Sequence, residues 1–466
     1  MKEFRDIKEL ELYYRGFENR TLESLFNYVR ITYPSISIST NKGVVGQVLE
    51  ALIGNAPNSS PHPDVKNLGV ELKVLPVRKV SGKLQPKERS KVKAINYNTI
   101  IDEDWISSLL RNKVKRILFL IYEQPTGKTY RDWLELNFKG TLFFELNDVN
   151  EPVIKKDWSI IQDKVKNEIA HKLSEGDGKI LGAATSGTGR LITYSSDKQA
   201  KERSYSLKHS FLKIFFNEQK NSVQYKSLNI AEGINPVEFI VSKINGSLKG
   251  KRLGQVVSFY DLTFSSTSKA AFRLLLNKAL NIDGDSEILE LDEHNLVVKT
   301  VPVNNNYTPL EAMSFPKFSL VDLLNEDWDE DDCEFKGMIS KGFIFIPIVK
   351  DKIKGTSKFK DWKTWEIGEA VFWKADAKQL EIIRNEWVRA KSIISDGVKV
   401  NYVKWGKSHR QENNLLKSSE TDIIHIRPHA RDSKDIDKPY FEFSKVQISW
   451  QSFWLNREFI KMRLRK

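Results

Sequence analysis

Two acidic residues and a lysine in the first part of the chain have the types and spacing that metal-assisted phosphate chemistry requires. Asp64 precedes Glu71 and Lys73 by a short segment. Side chains alternate between the two faces of a strand, so Glu71 and Lys73 should project from the same face, and a turn would return Asp64 beside Glu71. Carboxylates hold Mg²⁺, which neutralises charge on a scissile phosphate and lowers the pKa of a bound water. The lysine can then position that water and stabilise the developing charge.

Glu50 and a later basic cluster extend this pattern. Glu50 lies off the apolar face of a helix predicted over 43–53, and Lys113, Lys115 and Arg116 stand at the entrance of an apolar strand predicted over 116–122. Each group also has a simpler interpretation: solvated loop charges, a surface charge on a helix, or solubilising charge at a strand entrance. Three close carboxylates without a cation would repel one another strongly. Convergence of Glu50 with Asp64 and Glu71 would therefore favour a metal site.

The composition favours a polyanionic partner. The 466 residues include 74 Lys and Arg against 61 Asp and Glu, a formal charge of +13. The single cysteine, Cys333, excludes an internal disulfide and a Cys-rich zinc site, which suits a reducing, cytoplasmic location. The longest apolar runs are too short to span a bilayer, so no membrane partner is expected.

The pattern of elements predicts an α/β (α+β) protein in which one fold occurs twice in tandem. Domains are predicted at 1–218 and 235–466, joined by a polar linker at 219–234. The segment VELKVLPV (70–77) returns as LVVKTVPV (296–303). Further matches in the same order pair Asp104-Trp105 with Asp327-Trp328, Ile160-Ile161 with Ile382-Ile383, and Leu207 and Phe211 with Leu455 and Phe459. A helix is predicted over 157–173.

Several of these motifs resemble those of the MutH mismatch-repair endonuclease family. They are Lys42-Gly-x-x-Gly-x-x-Leu-Glu50, Asp64 followed by Gly69-Val70-Glu71-Leu72-Lys73-x-x-Pro76, and Lys113-x-Lys115-Arg116. Further details are similar to the Sau-type GATC-cutting type II restriction endonucleases. They are Lys87-Glu88-Arg89, His171-Lys-Leu-Ser-Glu-Gly176 and Ser206-Leu207-Lys208.

The resemblance implies a PD-(D/E)xK nuclease core, with a central mixed sheet flanked by helices. It implies that Asp64 and Glu71 are the metal ligands, Lys73 the catalytic lysine, Glu50 a supporting carboxylate and metal ligand, and Lys113 a second active-site lysine. The expected activity is Mg²⁺-dependent cleavage of double-stranded DNA at a short palindrome, GATC, leaving 5′-phosphate ends. A cognate DNA methyltransferase and a DNA-promoted homodimer are expected as partners.

The basic loop Arg78–Lys93 follows the catalytic strand and is expected to follow DNA phosphates. Within it, Lys87, Glu88 and Arg89 are predicted to read base edges; the alternative is a disordered charged hairpin tip. Four further DNA contacts are predicted in the first domain: Lys42, Lys115, Tyr205 and Lys208, the last two by resemblance.

The second copy lacks part of the catalytic set. Val297 stands opposite Glu71 although Lys299 persists, Glu290 stands opposite Asp64, and the counterpart of Glu50 falls in Leu274–Leu276. This domain is therefore predicted to be inactive. The resemblance favours a DNA-binding allosteric or specificity element over a decayed remnant.

Ile426-Arg427-Pro428-His429 in the second copy resembles a MutH base-reading loop, which makes Arg427 and His429 candidate DNA contacts. A surface salt bridge by Arg427 is the alternative. Two rival functions remain for the whole chain: a mismatch-repair-type nicking endonuclease, and a non-catalytic DNA-binding regulator of the same fold.

Overall fold

The chain divides into two compact units, Met1–Ser222 and Val223–Lys466, the second without the short stretch 329–332. The boundary lies within the segment 219–234. The structure is a computed structural model that describes residues 2–58, 60, 62–80, 82–125, 128, 130–186, 189–195, 197–265, 268–329, 333–353, 356, 358–405, 408–432 and 434–465.

The first unit alternates helices with short strands. Its helices are α1 (Ile7–Arg15), α2 (Leu22–Thr32), α3 (Val44–Ala51), α4 (Leu109–Val114), α5 (Asn150–Lys166) and α6 (His209–Lys220). Its strands are β1 (Glu71–Val80), β2 (Lys83–Pro86), β3 (Ser90–Ala94), β4 (Arg116–Glu123), β5 (Asn137–Glu145), β6 (Leu181–Thr185), β7 (Leu191–Ser195), β8 (Lys198–Lys201) and β9 (Arg203–Leu207).

A mixed sheet of order β2-β1-β4-β5 is the centre of this unit. Strand β1 runs parallel to β4, with Glu71 opposite Ile117, and β4 runs antiparallel to β5. Alternate residues of β4 enter two separate cores, one formed with α1–α3 and the other with α4–α6. The expected mixed sheet flanked by helices is therefore present. A second sheet has the order β3-β9-β6, and β7 pairs with β8.

The second unit is also mixed. Its helices are α7 (Pro236–Leu248), α8 (Leu253–Phe259), α9 (Lys269–Ala279), α10 (Leu289–Glu293), α11 (Leu320–Asn325), α12 (Glu334–Ile339), α13 (Ala377–Ser395), α14 (Lys438–Ser444) and α15 (Arg457–Leu464). Its strands are β10 (Tyr225–Lys226), β11 (Glu287–Ile288), β12 (Leu296–Val303), β13 (Met313–Phe318), β14 (Gly342–Val349), β15 (Glu366–Ile367), β16 (Val371–Trp373), β17 (Val400–Trp405), β18 (Ser408–Asn413), β19 (Ile424–Pro428) and β20 (Gln451–Leu455).

Strands β12 and β14 form a parallel pair in the second unit, with Val297 opposite Phe343. Both β15 and β16 pair antiparallel with β14, and a separate sheet has the order β13-β20-β19. Two apolar cores lie on the two faces of β14, as they do on β4. The predicted α/β class is confirmed for the chain. Among the described residues, no helix has the length and apolar character needed to cross a membrane.

The helix predicted over 157–173 is misplaced by about two turns. Helix α5 begins earlier because the Asn147 side chain accepts hydrogen bonds from the amides of Val149 and Asn150, at 3.0 and 2.9 Å. It ends at Lys166, shortly before Glu168, which has a positive φ of 55°. Asp157 does not start the helix: its buried carboxylate accepts hydrogen bonds from the backbone amides of 179–181, at 2.7–2.9 Å.

Candidate active site

Glu71 is a buried carboxylate held between two lysine amines. Glu71 begins β1, and only 1% of its surface is exposed. The next side chain, Leu72, lies in the core formed with α1–α3. Lys73 Nζ lies 2.8 Å from Glu71 Oε1. Lys113 Nζ, from the last turn of α4, lies 2.8 and 2.9 Å from the two Glu71 oxygens. The parallel pairing of β1 with β4 brings α4, which leads directly into β4, beside the start of β1.

A tight turn returns Asp64 to the start of β1. Val65 and Val70 exchange backbone hydrogen bonds of 2.9 and 3.2 Å, and Gly69 takes a positive φ of 63° that glycine adopts without strain. Asp64 Oδ2 then accepts the amide of Leu72 at 2.9 Å. The turn expected from the sequence is therefore present, and it places Asp64 beside the residue that follows Glu71.

Glu50 approaches the same group from α3. Its carboxylate is half-buried and lies close to Gly46, one turn earlier: a Cβ at Gly46 would make ordinary contacts of 3.7 Å with Glu50 Oε1 and 3.8 Å with Val74. Burial, and then the charge of Asp64, raises the pKa of Glu50 to about 7. The charges of Lys73 and Lys113 oppose this shift. The structure thus brings together all five residues predicted for catalysis.

The pKa of Asp64 is raised for similar reasons. Burial, followed by the charge of Glu71, raises the pKa of Asp64, while the Leu72 amide, Lys73 and Lys113 lower it. Acidic groups with raised pKa values beside one another are the arrangement that a divalent cation would relieve.

The donor set consists of hard carboxylate oxygens, which fit Mg²⁺. Within the part of the chain that the structure describes, no three acidic, histidine or cysteine side chains are arranged so that they could hold a metal ion. In this arrangement the positive charge beside Glu71 comes from Lys73 and Lys113.

Sequence reasoning missed the residues that hold these acids in place. The buried Asn55 donates from Nδ2 to Asp64 Oδ1 at 3.5 Å. On α1, Tyr14 and Tyr13 donate their hydroxyl hydrogens to the carbonyl oxygens of Leu49 and Leu52, at 3.0 and 2.8 Å. These are the carbonyls on either side of Glu50 in the chain. The two adjacent tyrosines are the sequence signal that could have indicated such a role.

The basic loop that was predicted to face DNA begins with a strand hairpin. Strands β1 and β2 pair from Val77 opposite Pro86 to Val80 opposite Lys83, and residue 81, at the tip, lies outside the described residues. Lys87 and Glu88 are half-buried, and Arg89 Nη1 lies 2.5 Å from Glu175 Oε2.

The remaining predicted contacts of the first unit differ in exposure. Lys42 lies before α3 and Lys115 at the end of α4, both exposed. Lys208 donates from Nζ to the Gly178 carbonyl at 2.6 Å. Tyr205 was predicted to contact the DNA groove, but only 1% of it is exposed because it points into the core shared with Trp105 and Trp158. The prediction for Tyr205 is corrected on this ground.

In the second unit, Arg427 and His429 flank an indole ring. Both are exposed on or next to β19. The Arg427 guanidinium lies 5.0 Å from the ring centre of Trp454, and the His429 ring lies 5.6 Å from it. Arg427 is therefore packed on an aromatic face, a geometry in which a cation–π contact forms.

Residues 53–157 match the family model "DNA mismatch repair enzyme MutH". This range includes Asp64, Glu71, Lys73 and Lys113. This part of the chain is therefore similar to the MutH family. The motifs at Lys42–Glu50 precede the matched range, although α3 brings Glu50 to the same cluster.

The similarity to one relative extends over nearly the whole chain, and the similarity to two others covers part of it. The type II restriction enzyme Sau3AI of Staphylococcus aureus is 25% identical over 496 aligned positions, covering 97% of this chain and 98% of that protein. The mismatch repair protein MutH of Shewanella baltica (strain OS185) is 26% identical over 186 positions, 39% of this chain and 81% of its own. That of Vibrio vulnificus (strain YJ016) is 32% identical over 130 positions, 28% of this chain and 55% of its own. The predicted resemblance to MutH and Sau-type endonucleases is confirmed.

Proposed function

We propose that the chain is a type II restriction endonuclease that cleaves both strands of DNA within a short palindrome, GATC, and leaves 5′-phosphate ends. The observation that carries this proposal is the convergence of Asp64, Glu71 and Lys73 inside the range that matches the MutH family model. Similarity to Sau3AI along nearly the whole chain supports a nuclease that makes double-strand cuts.

In the proposed reaction, water attacks phosphorus opposite the 3′ oxygen. The bond between phosphorus and the 3′ oxygen breaks, the attacking water loses a proton to solvent, and a proton from solvent reaches the 3′ oxygen. The products are a 5′-phosphate and a 3′-hydroxyl. Lys73 is the partly exposed amine of the pair, so it is placed to orient the water and to stabilise charge on the phosphate. Lys113 is more buried and binds both Glu71 oxygens, which fixes the carboxylate for its role.

We propose that Asp64 and Glu71, with Glu50 as a third carboxylate, hold Mg²⁺ after their side chains shift, because as they lie they do not form a three-ligand site. When bound, this ion would neutralise negative charge on the phosphate and acidify the attacking water. The raised pKa values of Glu50 and Asp64 support a cation at this position.

The test is digestion of a sequenced plasmid with Mg²⁺ and without any added protein, followed by mapping of the fragment ends. Discrete fragments that stop forming when EDTA is added, with 5′-phosphates at GATC, are expected. Absence of discrete fragments at every Mg²⁺ or Mn²⁺ concentration would contradict the proposal.

A MutH-like nicking endonuclease is the second candidate, because MutH proteins also match the first unit. Such an enzyme would leave one strand intact, or would need a partner protein to act. Linear fragments formed by the purified chain alone exclude this candidate, whereas nicked circles as the final product favour it.

We further propose that the second unit is a duplicate of the first. A helix carboxylate accepts three successive backbone amides in each: Asp157 those of 179–181, and Glu386 those of 422–424. An indole pair accompanies each helix, with ring centres 5.6 Å apart in both Trp105–Trp158 and Trp328–Trp387. These features align Asp157 with Glu386. The sequence match of Ile160-Ile161 with Ile382-Ile383 is therefore displaced from the structural alignment by about two helical turns.

Backbone pairing next to the central sheets supports the duplication independently. In the first unit, Leu22 donates its amide to the Leu136 carbonyl and Phe138 donates to Arg20. In the second unit, Leu253 donates to Trp365 and Ile367 donates to Lys251. Positive φ values before the parallel strands also correspond, at Gly69 and Asn295.

With this correspondence, the second unit has lost its catalytic set. Val297 occupies the Glu71 position and packs on an apolar core. Lys113 lies four residues before Ile117, the strand partner of Glu71, and the fully buried Ile339 lies four residues before Phe343, the strand partner of Val297. Ile339 therefore occupies the Lys113 position. Asn277, directly after Leu274–Leu276, lies four residues before Asn281, and Glu50 lies four residues before Gly54. Asn281 and Gly54 both have a positive φ, so Asn277 occupies the Glu50 position. Glu290 accepts hydrogen bonds from Leu228 and Ser227. This unit is therefore proposed to bind DNA without cutting it, with Arg427 and His429 as contacts.

A single active site per chain cuts two strands either through a second copy or by sequential nicking. A DNA-promoted homodimer is accordingly proposed. A cognate methyltransferase and a cytoplasmic location remain predictions.

A further inference from the structure

Two basic stretches that are distant in sequence lie side by side in the second unit. The stretch 249–254 runs along 363–367, joined by hydrogen bonds of 2.8 Å from Gly250 to Ile367 and from Leu253 to Trp365. Gly254 makes the approach possible, because a Cβ there would lie 2.8 Å from the Cβ of Lys363. The second stretch continues back to the end of β14 at Val349.

The positive charge of this surface exceeds its negative charge. The basic residues described on it are Lys249, Lys251, Arg252, Lys350, Lys352, Lys358, Lys360 and Lys363, against Asp351, Asp361, Glu366 and Glu369. We name these basic residues the lysine surface. Two of its amines form ion pairs within the surface: Lys249 with Glu369 at 2.7 Å and Lys360 with Asp351 at 3.1 Å.

Aromatic rings hold other amines of the lysine surface. Lys350 Nζ lies 4.1 Å from the ring centre of Trp365, and Lys352 Nζ lies 5.9 Å from that of Phe359. A ring orients an amine through cation–π attraction but leaves its full positive charge available. The backbone beneath is ordered by pairing of Lys352 with Phe359 and by the amide of Lys360, which donates to Asp351.

The corresponding surface of the first unit is nearly neutral. There, the stretch around Arg20 runs along 136–138 with the same hydrogen-bond pattern. It carries Glu18, and the neighbouring Lys128 forms an ion pair with Glu135 at 2.8 Å. The charge excess is thus specific to the second unit and is not a general consequence of the fold.

We infer that the lysine surface binds the phosphates of duplex DNA without reading its sequence. Lysine amines are strongly hydrated point charges that suit phosphate contacts, and seven of the eight residues of the lysine surface are lysines. The inference rests on the proposed function in taking DNA as the partner. It adds a contact site remote in sequence from Arg427 and His429.

The test compares two triple variants of the full chain with equal net charge. K251E/K352E/K358E alters the lysine surface, and K374E/K378E/K417E alters exposed lysines elsewhere in the same unit. Each is titrated with a fluorescent duplex that lacks GATC, in Ca²⁺ and at several salt concentrations. Loss of three phosphate contacts should reduce the slope of log K against log salt by about 2 to 3 and weaken binding at least about tenfold, with the control nearly unchanged.

Equal slopes for the two variants would overturn the inference, as would an effect on duplex RNA of the same length but not on DNA. Circular dichroism checks folding, and K251Q/K352Q/K358Q, which adds no negative charge, should show a smaller change in the same direction. A chain that binds DNA in this way but never cuts it would refute the proposed nuclease and leave the lysine surface standing. Cleavage of DNA by the chain, with equal salt slopes for the two triple variants, would support the proposed nuclease and refute the lysine surface.

Discussion

At the scale of single residues, the two lysines beside Glu71 are not equivalent. Lys113 binds both Glu71 oxygens and is nearly buried, whereas Lys73 binds one and is partly exposed. An amine that acts on DNA must be reachable by the scissile phosphate. Lys73 is therefore assigned to chemistry and Lys113 to positioning of Glu71.

Replacement of Lys73 by Ala should reduce the single-turnover cleavage rate by about 10²- to 10⁴-fold, because it removes a charge that acts on the transition state. Binding of a GATC duplex in Ca²⁺ should change little. Lys155→Ala, an exposed lysine on α5, is the control and should cut normally. Normal cutting by Lys73→Ala would show that the active site lies elsewhere.

Glu50 makes the stability of the metal-free protein depend on pH. Its pKa is raised from 4.5 to about 7 in the folded state, so between these values the folded protein keeps a proton that the unfolded chain has lost. Stability therefore falls as pH rises through this window, by on the order of 1–3 kcal/mol for a half-buried group.

Glu50→Gln should consequently unfold at higher urea concentration than the parent chain at pH 8 in EDTA, with little difference at pH 5. Glu23→Gln, at an exposed helix position, should shift stability equally at both pH values. A Glu50→Gln effect that is the same at pH 5 and pH 8 would contradict the electrostatic account.

At the scale of elements, the local part of the site could be predicted and the tertiary part could not. The alternation in VELKVLPV indicates a strand that presents Glu71 and Lys73 together, and Gly69 permits the turn that returns Asp64. The contact from Tyr14 to Leu49 joins helices far apart in sequence, so no spacing rule reveals it. Tyr205 was misassigned for the same reason, since its burial depends on how β9 packs.

Tyr14 of α1 is expected to position Glu50 through α3. Tyr14→Phe removes one hydrogen bond to Leu49, the residue before Glu50, which should cost about 1 kcal/mol of stability. Small displacements of catalytic groups are expensive, so cleavage at saturating DNA and Mg²⁺ should slow several-fold to about 10²-fold.

Tyr13→Phe is the matched control, because it removes a bond of similar length to Leu52, beyond Glu50. It should lose similar stability and less activity. Equal loss of activity in both variants would mean that the tyrosines only stabilise the fold. DNA binding in Ca²⁺ should be unaffected in either.

At the scale of the whole molecule, the proposed duplication leaves the proposed catalytic residues in the first unit alone. Val297 and Ile339 in the second unit cannot replace Glu71 and Lys113, since neither side chain carries an oxygen or a charge. Under the proposed function, each chain would therefore cut one strand at a time. A palindrome presents the same sequence on both strands, so a second copy related by a two-fold axis would meet the other strand in an identical way.

Assembly on DNA should consequently decide how the two strands are cut. With a duplex carrying one GATC and a different label on each strand, both strands should be cut together when protein exceeds DNA, and nicked duplex should accumulate at low protein concentration. Sedimentation of Asp64→Ala, which should bind without cutting, should show two copies per duplex. One copy per duplex, with both strands cut at rates independent of protein concentration, would instead mean that a single active site moves from one strand to the other.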